Sequence, residues 1–154
     1  MLEKMKRSDS KGFTLIEIVL VIAIAALLLL IVFLAVSGAQ KARRDSQRRN
    51  DLSRIAAALE SYASNNNGGY PTNAQFNGLF IAGGSYAVNN AKDPLSGADY
   101  QYTTTLPATP ASGATSASVV YRNAEDCSGA AQGTRVFAVY MGLEQGAPTC
   151  ISNK

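Results

Sequence analysis

The sequence predicts an α+β protein: one long N-terminal helix, membrane-spanning in its first half, packed through its second half on a small antiparallel β-sheet. Three observations predict it. Residues Ile18 to Val36 form a 19-residue apolar run with no charge, proline or glycine, long enough for a spanning helix. Leu52, Ile55, Ala56, Leu59, Tyr62 and Ala63 then recur at the spacing of one helical face. From Tyr100 onward, segments of strand length alternate with turn residues.

Taken in order, the helix is expected from Phe13 to about Ser64, roughly 78 Å if unbroken at about 1.5 Å per residue. Ser37-Gly38 is its weak spot, because glycine costs about 1 kcal/mol relative to alanine inside a helix. Asp45 with Arg49 and Asp51 with Arg54 offer modest surface pairs at i,i+4 and i,i+3. The stop is marked by Asn65-Asn66-Asn67-Gly68-Gly69 and then Tyr70-Pro71, left-handed cap residues followed by a residue that cannot continue a helix.

Glu17 stands at the start of the apolar run, with basic residues just before it. A charge at the bilayer centre costs about 2.5–3.5 kcal/mol on insertion scales, so such an acid calls for a partner or a route to water. One reading lets it reach the headgroups and do nothing more. A sharper reading places a cut between Gly12 and Phe13. The α-amino group so made, mostly protonated at a reference pKa of about 7.7–8.0, would meet Glu17 of a neighbouring helix and set the stagger between subunits.

A polar leader, then Gly12-Phe13-Thr14-Leu15-Ile16-Glu17, then an apolar helix closely resembles the N-terminus of type IV pilins and related pseudopilins. The matching stretch covers about Lys11 to Ile22. The resemblance implies a leader at 1–12 removed by a prepilin peptidase after Gly12 and N-methylation of the new Phe13 amine. It also implies assembly through Phe13 and Glu17 into a helical homopolymer, with an assembly platform and minor pilins as partners. The implied parts are an assembly half at 13–37, an amphipathic half at 38–64 and a head at 65–154. The subunit would be membrane-anchored with its head outside the cytoplasm, then extracellular in the fibre. Many type IV pilins bend this helix at a proline, whereas here the first proline is Pro71.

Other readings of the N-terminus stay open. An ordinary signal peptide could be cut before Gly38, with Ala35 and Ser37 as the small residues, although the apolar stretch exceeds the usual 7–15 residues or so. An uncleaved single-pass anchor is also possible. Charge complicates the topology. The formal net charge is only +3, but Lys41, Arg43, Arg44, Arg48, Arg49 and Arg54 cluster just past the apolar run. The positive-inside rule would place that cluster in the cytoplasm. The basic N-terminal leader and the two cysteines favour an exported head.

The stretch from Tyr70 to Tyr100 is expected to be a variable loop, with turn chemistry at Asn89-Asn90 and Asp93-Pro94-Leu95-Ser96-Gly97. Gly68-Gly69-Tyr70-Pro71, Asp93-Pro94 and Tyr100-Gln101-Tyr102 loosely resemble major pseudopilins of type II secretion. A half-buried strand is expected from Tyr100 to Leu106, a flexible excursion at Pro107–Ser116 and a strand at Ser118–Arg122. A central strand at Arg135–Leu143 and a short one at Thr149–Ser152 complete the sheet. Val136 to Met141 is apolar on both faces, as in a covered strand.

Cys127 and Cys150 bracket that central strand. In an exported head they most simply form one structural disulfide. Histidine is absent, so no Ser/His or Cys/His nucleophile pair can be built, and two cysteines fill only half a tetrahedral metal site. No phosphate-binding glycine motif is present. No enzyme activity, catalytic residue, cofactor or metal is expected. Asp93, Asp99, Glu125 and Asp126 could offer oxygens to calcium, as in some pseudopilins, but read more simply as solvated turn acids. The basic run could touch DNA or anionic headgroups, or be a solvated helix face. In the resembling family a C-terminal disulfide encloses a variable surface loop, which favours a pilin, with roles such as adhesion, motility or DNA uptake, over a pseudopilin.

Overall fold

The computed structural model describes residues 12–88, 91–105 and 118–154. Helix α1 runs over Leu15–Asn65. The chain divides into two compact units, Met1–Gly38 and Ala39–Lys154, with the described part of the first being the apolar start of α1.

The second unit is built on the rest of α1. Leu52, Ile55 and Leu59 are fully buried because the 3.6-residue period lines them up on one face. They join one cluster with Phe76, Phe80, Val119, Tyr121, Phe137, Val139 and Met141. The helix ends as the asparagine–glycine run predicts. Asn67 adopts φ 53° and Gly68 φ 77°, and the Gly68 N–H reaches back to the Ala63 carbonyl at 2.8 Å, which closes the last turn.

The Tyr70–Tyr100 stretch is not the structureless loop expected. It opens with a short helix, α2, at Asn73–Phe76, continued by a π-helical turn at Asn77–Ile81. A capping box starts it. The Thr72 side chain accepts from the Gln75 N–H, and the Gln75 side chain accepts from the Thr72 N–H, so two orphan donors are satisfied reciprocally. This turn delivers Phe76 and Phe80 to the core, with Phe76 stacked on Tyr121 at 4.3 Å between centroids.

Four strands form one sheet in the order β1-β2-β3-β4: β1 Gln101–Thr103, β2 Ser118–Asn123, β3 Phe137–Met141 and β4 Thr149–Ser152. The last three match their expected positions closely. The sheet is mixed, however, which corrects the antiparallel expectation. β1 runs parallel to β2, pairing Tyr102 with Val119, whereas β2–β3 and β3–β4 are antiparallel. A parallel pair needs a crossover of a dozen or so residues, not a hairpin, and the chain between Thr103 and Ser118 supplies that length. β1 is also shorter than expected. Leu106 and the Pro107–Ser116 excursion lie outside the described residues, as do Asn89-Asn90 and leader residues 1–11. β3 is internal, as its two-sided apolar pattern requires, with Phe137, Ala138, Val139 and Met141 buried.

Candidate functional site

The N-terminal segment starts from Thr14. Its hydroxyl donates to Glu17 Oε2 at 2.8 Å and accepts from the Glu17 N–H at 3.3 Å, while the Thr14 N–H also donates to Oε2 at 2.8 Å. This is a second reciprocal capping box, and it fixes where the helix begins. Gly12 and Phe13 therefore precede the helix in irregular backbone. Phe13 is 84% exposed, and a side chain built at Gly12 would meet nothing within 4 Å. The Gly12–Phe13 peptide thus stands clear of helical hydrogen bonding. Among the described residues, Glu17 Oε1 takes no hydrogen bond.

Beyond Glu17, α1 is long and apolar enough to cross a membrane, and none of its apolar window is buried within the chain. Ile18, Leu20, Leu30 and Ile31 are all at least half exposed. In water that surface would be strongly unfavourable, at about 25 cal/mol per Å², so it needs lipid or other apolar helices around it.

In the second unit, the basic run has a different use from the one its composition suggests. Arg48 is fully buried. Its Nε and Nη2 donate to Asp93 Oδ1 at 2.9 and 2.7 Å, and its Nη1 lies 3.6 Å from Asp45 and 3.4 Å from Glu144. Arg44 makes a two-pronged pair with Glu144 at 2.6 and 2.7 Å, the geometry in which guanidinium–carboxylate bonds are strongest. That pair holds the Glu144 carboxyl below its usual range, with the Arg44 hydrogen bonds as the largest cause, and raises Arg44 in turn. Asp45 accepts from the backbone N–H groups of Glu144 and Gln145 at 2.7 and 2.9 Å. Asp51, also buried, accepts from the Tyr100 hydroxyl at 2.9 Å; burial, then that bond, pushes the Tyr100 phenol upward.

Two expectations are corrected here. Asp45 does not serve the surface pair with Arg49 but turns inward to the β3–β4 loop. Asp93 is not a solvated turn acid: it is fully buried because Arg48 compensates its charge. The Asp51–Arg54 pair forms at 3.2 Å. The nonlocal partners of Arg44, Asp45 and Arg48 had no sequence signal, whereas Thr14-x-x-Glu17 and Thr72-x-x-Gln75 were legible as capping boxes and were missed.

Cys127 and Cys150 form the expected disulfide, with Cα atoms 5.9 Å apart. Beside it the Asp126 carboxylate accepts from the Ser128 hydroxyl and N–H, the Ala130 N–H and the Gln132 amide. These bonds, the Ser128 hydroxyl foremost, hold its pKa low. Donors already face both its oxygens, a poor arrangement for a cation. Among the described residues, no group of three or more potential metal-binding side chains occurs. Asp99 is exposed and pairs with Lys92 at 3.2 Å.

Comparison with curated proteins and with solved structures finds no match to the chain. The N-terminal segment does match a family. Residues 7–33 match the family model of the prokaryotic N-terminal methylation motif, at the head of an α+β arrangement of one long helix and a small mixed sheet.

Proposed function

We propose that the chain is the precursor of a structural subunit of a type IV pilus-like filament. A prepilin peptidase hydrolyses the Gly12–Phe13 bond, the Phe13 amine is methylated, and the 13–37 half of the helix polymerises with copies of itself. Residues 1–12 are the leader, 38–64 the amphipathic half and 65–154 the head. The observation that carries this reading is the Thr14–Glu17 cap at the start of an exposed apolar helix, within the matched motif. The cap leaves Gly12–Phe13 in extended reach of a protease. It neutralises none of the Glu17 charge, so one carboxylate oxygen remains to receive the cationic amine of a neighbouring subunit. Lipid is as apolar as the helix bundle, so hydrophobic burial adds little drive to assembly. Packing and this pairing set the register.

Before assembly the apolar helix anchors the subunit in the membrane; afterwards the filament places the head at the cell surface, with an assembly platform and minor pilins as further partners. Adhesion, motility and DNA uptake are functions such a fibre could serve. Glu17→Ala tests the reading: the Thr14 hydroxyl still caps the residue-17 N–H, so cleavage should stay intact while fibres are sharply reduced. Normal fibres from that variant would remove the pairing. A pseudopilin of type II secretion would share the N-terminal chemistry, and imaging separates the two. Long extracellular fibres support a pilus, and short envelope-confined structures support the pseudopilin.

A further inference from the structure

Six cations follow the apolar run between Lys41 and Arg54, and the fold treats them unequally. Arg44, Arg48 and Arg54 pair with Glu144, Asp93 and Asp51. Lys41, Arg43 and Arg49 are exposed and form none of the salt bridges of the described residues, although Lys41 acts at longer range on Glu144. Lys41 comes five positions after Val36, and Arg43 seven. At about 100° per residue, Lys41 and Arg43 project from nearly opposite sides of the helix. Helical Cα–Cβ bonds tilt toward the N-terminus, so both long side chains are directed N-terminally along their own stretch of helix. A duplex or the acidic face of a protein would engage one side of the helix. A lipid leaflet surrounds it.

We propose that Lys41 and Arg43 form a collar that binds the phosphate headgroups of anionic phospholipids in the leaflet where the apolar run ends. This rests on the membrane-anchored reading above, but not on polymerisation. The two cations keep their aliphatic stems against the apolar boundary and their charges among the phosphates. Arg49 lies about 9 Å further along the helix than Arg43, close to a Debye length at physiological salt, and contributes less. The ion pairs of Arg44 and Arg48 have a part in this too. By holding those guanidinium groups on Asp93 and Glu144, the fold leaves headgroup binding to the two cations nearest the span.

The test uses the full chain in mild detergent, with phosphatidylglycerol and phosphatidylcholine added in equal amounts, and counts retained lipid by native mass spectrometry. Wild type should retain phosphatidylglycerol preferentially. The Lys41→Gln/Arg43→Gln variant should lose most of that preference, whereas Arg49→Gln should keep most of it. Equal retention of both lipids by wild type, or an unchanged preference in the double variant, overturns the proposal. So does a DNA duplex binding through Lys41 and Arg43 without any lipid preference. Fibre formation is scored separately. Fibres without lipid preference reject the collar and spare the subunit reading; lipid preference without fibres does the reverse.

Discussion

Arg48 shows how a side chain that looks like surface charge becomes part of the core. A guanidinium removed from water is stable only where carboxylates surround it, and Asp93, Asp45 and Glu144 all do. Removing it strands Asp93 in a fully buried site. Arg48→Ala should therefore cost about 3–5 kcal/mol in urea unfolding of the full chain. Arg48→Met combined with Asp93→Leu should lose less than Arg48→Ala alone, because the double change leaves no orphan charge on Asp93. Titration gives a second prediction. Glu144 and Asp126 have lowered pKa values in the fold, so their contribution is complete above the unfolded carboxylate range of about 4. It should fade as pH falls through the lower folded values. Tyr70 is raised to about 12, chiefly by burial, so its contribution should hold below about pH 10 and fade as pH rises toward 12. Urea midpoints measured across pH would show both edges. None of these pairings was legible in the sequence, because Arg48 and Asp93 are 45 residues apart and nothing local marks the meeting.

At the scale of elements, the long helix and strands β2 to β4 were legible because periodicity is a local property of the chain. The helix face from Leu52 to Ala63 is one such pattern, and the two-sided apolar run at β3 is another. Strand direction is not local, so the parallel pairing of β1 could not be read from its alternation. Helix α2 was different: Thr72-x-x-Gln75 spelled out its start, but the surrounding Asn, Gly and Ala composition suggested a loop. The turn that follows depends on Gly84. A Cβ there would clash with the Gly78 carbonyl oxygen and lie 2.7 Å from the Leu79 Cα, backbone atoms that cannot step aside cheaply. Gly84→Ala should cost at least about 1–3 kcal/mol, seen as a lower melting temperature with loss of the Phe76–Phe80 packing in near-ultraviolet circular dichroism. The Cys127–Cys150 bridge closes a separation of 23 residues. Cys127→Ser should cost about 3 kcal/mol under oxidising conditions, and an unchanged melting temperature would mean the bridge contributes nothing.

For the whole molecule, the two compact units differ in what they bury. The head folds on buried ion pairs and an aromatic core, and the N-terminal helix keeps its apolar surface outward. The basic cluster that seemed to argue for a cytoplasmic head includes Arg44 and Arg48, whose charges are balanced inside the fold, and this weakens the topological objection. The proposed processing site rests on Gly12, Phe13 and Glu17, which lie within six consecutive residues. The Thr14-x-x-Glu17 cap beside it was legible too, and the structure adds that both reciprocal bonds of the box form. In the proposed filament, assembly depends on a new amine at Phe13. Intact mass and N-terminal sequencing of the protein isolated from its native membrane test this most directly. Processing as proposed gives a chain beginning at Phe13 and carrying one extra methyl group; a chain beginning at Met1 or Gly38 would contradict it.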